Sequence, residues 1–198
     1  MKALILVDIQ YDFLPGGALA VPEGDAIFPF VNDIQKDFPL IVATQDWHPA
    51  NHGSFASNHE GKKPGEVIDL HGLDQILWPD HCIQGSHGAE FSKQLDMTRV
   101  EKIFQKGTDP AVDSYSGLFD NGKRKSTGLG EYLKSRGVEE VGVVGLAADY
   151  CAKFTALDAH DFGFKTTIFK AGTRAVNLEP GDFEKAMQEL SAHGVMVV

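Results

Sequence analysis

The stretch Val143-Val144-Gly145-Leu146-Ala147-Ala148-Asp149-Tyr150-Cys151 decides how the chain is read. An apolar run leaves through a glycine into a short turn, and a cysteine opens the segment that follows. The pattern predicts a buried strand over residues 141–145 and a helix over 150–162. The first turn of such a helix carries unpaired N–H groups and a partial positive charge. A thiol placed there is displaced toward thiolate, its nucleophilic form, and the same N–H groups suit an oxyanion on a bound carbonyl. Free cysteines are also among the most buried residues, so the competing reading is a packed structural thiol.

Working outward, the same alternation recurs. Residues 3–8 and 40–44 are short apolar runs ending at Asp8 and at Gln45-Asp46, and residues 100–105, Val-Glu-Lys-Ile-Phe-Gln, read as a third strand ending at Lys106. Residues 164–169 and 195–198 supply two more strands. Helical patterning covers residues 23–37, with Pro29 delaying or kinking its start, residues 127–136, and the segment from Asp182 to Gly194. Residues 88–96 suit a short helix. Strands alternating with helices predict an α/β fold of three α/β/α layers, doubly wound around a mainly parallel sheet of six strands. The 198 residues are expected to form a single domain with one long loop at about 46–87. That loop holds six of the eight histidines and shows no period, so it reads as an ordered functional loop.

Composition removes several classes of function. Eighteen basic residues stand against 28 acidic ones, with no basic stripe, which excludes a nucleic-acid role. No apolar run approaches the roughly 20 residues that cross a bilayer, and no membrane partner is expected. The N-terminus lacks a signal-peptide pattern, and two cysteines make no disulfide framework, so a cytoplasmic protein is expected.

In parallel sheets ligands sit beyond the C-terminal ends of the strands. Asp8, Asp46, Lys106 and Cys151 therefore fall on one rim. A cysteine nucleophile needs a base, and a carboxylate of raised pKa serves; a lysine beside both stabilises the thiolate. Asp46-Trp47-His48 places two metal ligands at i and i+2 on one side of an extended chain. His81 is the candidate third ligand, with His52, His59 and His71 in competition; Cys82 is a candidate fourth ligand, with a place in the core as its expected reading. Separately, each of these residues has a bland reading as a cap, a solvated charge or a loop histidine.

Five motifs in order carry a resemblance: Val7-Asp8-Ile9-Gln10-x-Asp12-Phe13, Thr44-Gln45-Asp46-Trp47-His48-Pro49, Trp78-Pro79-x-His81-Cys82, Lys106-Gly107, and Gly145-Leu146-Ala147-x-x-Tyr150-Cys151. Together they resemble the nicotinamidases of the isochorismatase-like hydrolase superfamily, from about Leu4 to about Arg174. The resemblance implies Asp8, Lys106 and Cys151 as catalytic residues, Asp46, His48 and His81 as metal ligands, and His52 as the nearest residue to complete the metal shell. It implies an oxyanion hole at the N–H groups of Ala147 and Cys151, with a cis Leu146–Ala147 bond. Phe13, Trp78, Tyr115 and Tyr150 are the implied pocket aromatics. The implied activity is hydrolysis of nicotinamide to nicotinate and ammonia in NAD salvage, extending to pyrazinamide, through a cysteine thioester. One divalent ion, zinc first and iron or manganese otherwise, would orient the pyridine ring. The implied partner is this small molecule, on a monomer or small homo-oligomer. The alternatives are a metal-free cysteine amidohydrolase acting on a carbamoyl or ureido substrate, an isochorismatase proper, and a non-catalytic binding protein on the same fold. Strand order is left open. If the second strand separates the first and third, Lys106 starts about 10 Å from Asp8, at strand spacings near 4.8 Å.

Overall fold

A central strand buried on both faces organises the molecule. Residues 3–7, Ala-Leu-Ile-Leu-Val, are fully buried in β1 (Lys2–Val7), as a strand covered on both sides must be. Each buried Leu or Ile contributes about 1.5–3 kcal/mol relative to exposure. The computed structural model describes residues Met1–Val198. In chain order β1 is followed by α1 (Phe28–Ile34), β2 (Leu40–Asp46), the hairpin strands β3 (Val67–Leu70) and β4 (Leu73–Ile76), and β5 (Val100–Lys106). Then come α2 (Leu129–Ser135), β6 (Glu140–Leu146), α3 (Cys151–Asp161), β7 (Lys165–Arg174), α4 (Asp182–His193) and β8 (Met196–Val197).

Six strands form one sheet in the order β5-β2-β1-β6-β7-β8, with every neighbouring pair parallel. α2, α3 and α4 cover one face through Leu129, Leu133, Ala152, Ala156, Met187 and Leu190. α1 and the turns around it cover the other through Ile27, Phe28, Val31 and Ile34. The expected three-layer, doubly wound α/β architecture is therefore the one observed. The chain reverses direction across the sheet between β1 and β6, the switch point where ligands bind in such folds. At that crossing Gly145 has φ +120°, and a Cβ on it would stand 2.1 Å from the Val7 carbonyl oxygen. Only glycine lets β6 pass β1 so closely where the turn toward Cys151 begins.

Three local expectations are sharpened or corrected. The helix over 23–37 is split into a 3-10 turn Gly24–Ile27, α1, and a second 3-10 turn Gln35–Asp37. Pro29 sits in the first turn of α1, where its missing N–H is harmless, and the α-helix starts late there, as the proline leads one to expect. Residues 88–96 form no helix beyond the 3-10 turn His87–Ala89. Their backbone pairs instead with the segment after β1: Tyr11 N–H donates to Glu90 O (3.0 Å) and Ser92 N–H to Ile9 O (3.2 Å). The long histidine loop contains a hairpin, β3–β4, turned by His71 (φ 52°) and Gly72 (φ 86°). Two successive positive φ values are what a tight hairpin of matching twist demands.

Candidate active site

The rim places three catalytic candidates in contact. Asp8 follows β1 with φ 48°, an uncommon conformation for a non-glycine residue, and Thr44 Oγ1 donates to its Oδ1 at 2.6 Å. β2 does separate β1 from β5, and Lys106 lies in register with Asp46. The lysine reaches back across the rim: Nζ stands 2.6 Å from Asp46 Oδ1, 2.9 Å from Asp8 Oδ2, 2.8 Å from Ser114 O and 3.4 Å from Cys151 Sγ. Asp8, Asp46 and Cys151 offer atoms that all lie within 4.8 Å of one another. The extended aliphatic stem of Lys106 spans one intervening strand, which answers the distance problem posed by the strand order.

Burial sets the electrostatics. It pushes the Asp8 carboxyl up from its ordinary value, and Lys106 only partly offsets this. It also pushes the Cys151 thiol well up, with Lys106 again opposing. The cysteine at the start of α3 is thus a protonated thiol at rest rather than the pre-formed thiolate that a helix N-terminus alone predicts. Lys106 is also buried, yet Asp46 and Asp8 hold its ammonium firmly charged. For Asp46 burial acts upward, but Lys106 and His48 outweigh it and hold the carboxyl well below the usual range.

On the other side of Asp46 stand two imidazoles. His48 Nδ1 bonds Gly107 O at 2.8 Å and His81 Nδ1 bonds Pro79 O at 2.7 Å. A carbonyl only accepts, so each Nδ1 carries the hydrogen and each Nε2 presents a bare lone pair. Those lone pairs face Asp46 Oδ2 at 3.2 Å from His48 and 3.6 Å from His81. Three acceptors converging on one buried point with no donor among them fit a cation, and His48 Nε2 has no hydrogen-bond partner. Without an ion a proton takes that place: burial opposes it, but Asp46 lifts His48 to about 8. Gly107 is held at φ 64° against the His48 ring, where a Cβ would stand 2.3 Å from Cε1. His52 stands apart from this trio. It groups with His48 and Asp113, and Ser54 N–H donates to its Nδ1 at 3.2 Å, which places the hydrogen of the neutral ring on Nε2. Of the other competitors, His59 bonds Gly53 O and His71 sits on the hairpin turn.

The cleft between these groups is narrow and lined mostly by apolar side chains. All four expected aromatics, Phe13, Trp78, Tyr115 and Tyr150, are in its wall together with Ala147 and Cys151. Trp78 meets Tyr150 edge-on at 5.0 Å and donates from Nε1 to the Tyr115 hydroxyl at 3.1 Å. The Leu146–Ala147 bond is cis, and neither the Ala147 nor the Cys151 N–H is used by another protein group. Sequence reasoning missed Leu19, Asp113 and Val176 in the wall, and Gln10 behind it. Gln10 is fully buried and clamps the Asp46 backbone, donating to Asp46 O and accepting from Asp46 N–H, both at 2.8 Å. Its place beside Asp8 in the first motif was the available signal.

A parallel sheet whose rim joins a buried Cys, Asp and Lys beside three side chains able to hold a cation fits the class of α/β hydrolases. Comparison narrows the class. Residues 2–198 match the model of the isochorismatase domain, and the chain belongs to that family. It is 48% identical over 197 residues to the nicotinamidase of Escherichia coli K12, covering 98% of this chain and 92% of that one. Among solved structures it is similar to an Acinetobacter nicotinamidase/pyrazinamidase (TM-score 0.96, 45% identity, covering 100% of this chain and 95% of that one). It is also similar to the yeast nicotinamidase bound to the inhibitor nicotinaldehyde (TM-score 0.95, 35% identity, 100% and 99% covered). The pyrazinamidase of Pyrococcus horikoshii, solved in complex with zinc, aligns with a TM-score of 0.80 at 38% identity over 100% of this chain and 98% of that one.

Proposed function

We propose that this chain is a nicotinamidase, cleaving nicotinamide to nicotinate and ammonia, a reaction of NAD salvage, and accepting pyrazinamide as well. The observation that carries this is the shared position of Asp46: one carboxylate oxygen holds Lys106 of the catalytic group and the other faces His48 and His81. A flat ring in the aromatic cleft would thus meet a cation at one edge and Cys151 at the other.

In this reading Asp8 is the base. Its raised pKa suits a group that must take a proton and later return it. Asp8 accepts the Cys151 proton as Sγ bonds the carboxamide carbon, and the carbonyl π electrons move to oxygen. The free N–H groups of Ala147 and Cys151 hold that oxyanion. Asp8 then gives its proton to the amide nitrogen, the C–N bond breaks, and ammonia leaves a thioester on Cys151. Water attacks the thioester and gives a proton to Asp8. Collapse expels Sγ, which recovers that proton, and nicotinic acid is released, giving its remaining acid proton to solvent to become nicotinate. Lys106 keeps both carboxylates in place and offsets the developing thiolate at 3.4 Å. Asp46, His48 and His81 would hold the divalent ion, zinc being the first choice for this donor set. Such an ion supplies a Lewis-acid anchor for a ring nitrogen, which orients the ring without touching the carbonyl. Phe13, Trp78, Tyr115 and Tyr150 sandwich the ring.

The test is ammonia release from nicotinamide by the purified protein, before and after chelation. Release that is lost with chelator and restored by zinc is expected. No release under any metal condition overturns the assignment. No helix of the chain is long and apolar enough to cross a membrane.

A further inference from the structure

Asp12 has no role in the chemistry above, yet its carboxylate ties three parts of the cleft together. Oδ2 accepts the Cys82 N–H at 2.7 Å, and Oδ1 accepts the Ala18 N–H at 3.2 Å. Its own carbonyl accepts the Leu19 N–H at 2.9 Å. Leu19 and the adjacent Phe13 line the cleft, and Phe13 lies against the His81 ring at 5.6 Å.

The bond to Cys82 matters most, because that N–H belongs to the peptide joining His81 to Cys82. Cys82 has φ 46°, an unfavourable conformation for a residue with a side chain, so an external partner must hold it. Its carbonyl in turn accepts the His48 N–H at 3.0 Å. One peptide unit and its neighbour therefore connect Asp12 to the backbones of both cation-facing histidines. The carboxylate sits where only a glycine leaves room. A Cβ on Gly88 would stand 2.0 Å from Asp12 Oδ2 and 2.2 Å from Cγ.

We propose that Asp12 is a positioning residue for the metal trio. Through the His81–Cys82 peptide it sets the placement of His81 against Asp46, and Gly88 is the glycine that admits it. The inference rests on the reading of Asp46, His48 and His81 as a metal site, but not on the identity of the substrate. Partners that orient first ligands are worth about 10–100-fold in metal affinity.

The experiment is zinc affinity by chelator competition for the full chain and its variants, without substrate. Asp12→Ala is expected to weaken zinc binding about 10–100-fold. Asp12→Asn keeps one oxygen for the Cys82 N–H and should recover most of that loss. Gly88→Ala should reproduce the Asp12→Ala defect by displacing the carboxylate. The Asp12→Ala/Gly88→Ala double variant should be no worse than Asp12→Ala alone, since residues in one network do not add. With saturating zinc, Asp12→Ala should raise KM for nicotinamide more than it lowers kcat, because Phe13 and Leu19 shift while Cys151 and Asp8 do not. Zinc affinity within about threefold of the parent in Asp12→Ala, or an additive double variant, overturns the proposal; the typical coupling scale sets that margin. Should Asp12→Ala fail to fold, Gly88→Ala and Asp12→Asn carry the test. Asp12-dependent zinc binding in a protein inert toward nicotinamide would sink the proposed function alone. Asp12-independent zinc binding in an active amidase would sink this inference alone.

Discussion

Replacing Lys106 by Met strips the rim of its one buried ammonium while nearly keeping its volume. Asp8 and Asp46 are then left as buried carboxylates facing each other, having lost contacts of 2.9 Å and 2.6 Å. Removing one partner of a buried ion pair costs about 3–5 kcal/mol. For a chain of 150–250 residues each kcal/mol moves the melting midpoint by about 2–4 °C, so a fall of about 6–20 °C is expected. Catalysis should suffer separately. The ammonium lies 3.4 Å from Cys151 Sγ, and at an effective dielectric of about 20 a charge pair at that separation is worth about 5 kcal/mol. Part of that is cancelled by the two carboxylates, so a loss of at least about 100-fold in kcat is the conservative expectation, worth about 3 kcal/mol. Thermal unfolding followed by circular dichroism reads the first effect and ammonia release at saturating nicotinamide and zinc reads the second. Adding Asp46→Asn to Lys106→Met removes one stranded charge and should return part of the lost stability, though not activity. A Lys106→Met protein that melts within about 2 °C of the parent, a shift worth under 1 kcal/mol, and keeps more than a tenth of its turnover would refute this account of the rim.

The remaining predictions concern single atoms of the site. Cys151→Ala should abolish ammonia release while leaving zinc binding intact; residual turnover at the parent rate removes the thioester. Cys151, in the cleft wall, should be alkylated by iodoacetamide faster than the sealed Cys82, and nicotinamide should slow only the former. Gly107→Ala would place a methyl group 2.3 Å from His48 Cε1, so zinc content measured by atomic absorption should fall sharply. Chelated protein should be most stable near pH 6.5, the ordinary histidine value. His48 is lifted to about 8, so its contribution is full below the unfolded value of about 6.5 and is lost as pH rises through 8. His52 is lowered to about 4, chiefly by burial, so its contribution is full above 6.5 and is lost as pH falls toward 4. Each limb is worth about 2 kcal/mol between pH 5 and 8, read from urea midpoints. Zinc should flatten the alkaline limb, because a ligated His48 no longer titrates as a free ring.

Much of the site was legible before any coordinates because parallel sheets gather their chemistry at strand ends. Asp8, Asp46, Lys106 and Cys151 each close or follow a strand, so locating the strands located them. The Asp46-x-His48 pair was legible for a similar local reason, the two-residue repeat of extended chain. The late start of the helix at Pro29 was legible too, since a proline interrupts a helix wherever it falls. Residues 88–96 were misread for the opposite reason: backbone bonds to residues 9–11 decide their outcome, and these do not show in a hydrophobic period.

Local pattern alone therefore determined the class of fold, the strand–turn–helix that carries Cys151 and which residues reach the rim, since these depend on neighbours a few positions apart. Tertiary structure decided the rest. It placed β2 between β1 and β5, so that Lys106 must lean over Asp46 to meet Asp8. It seated Gln10 behind Asp46 and Asp12 behind His81, and it turned the Cys151 thiol from a helix-activated thiolate into a buried, protonated group. Those outcomes depend on desolvation and on contacts between residues tens of positions apart, and a one-dimensional pattern carries neither.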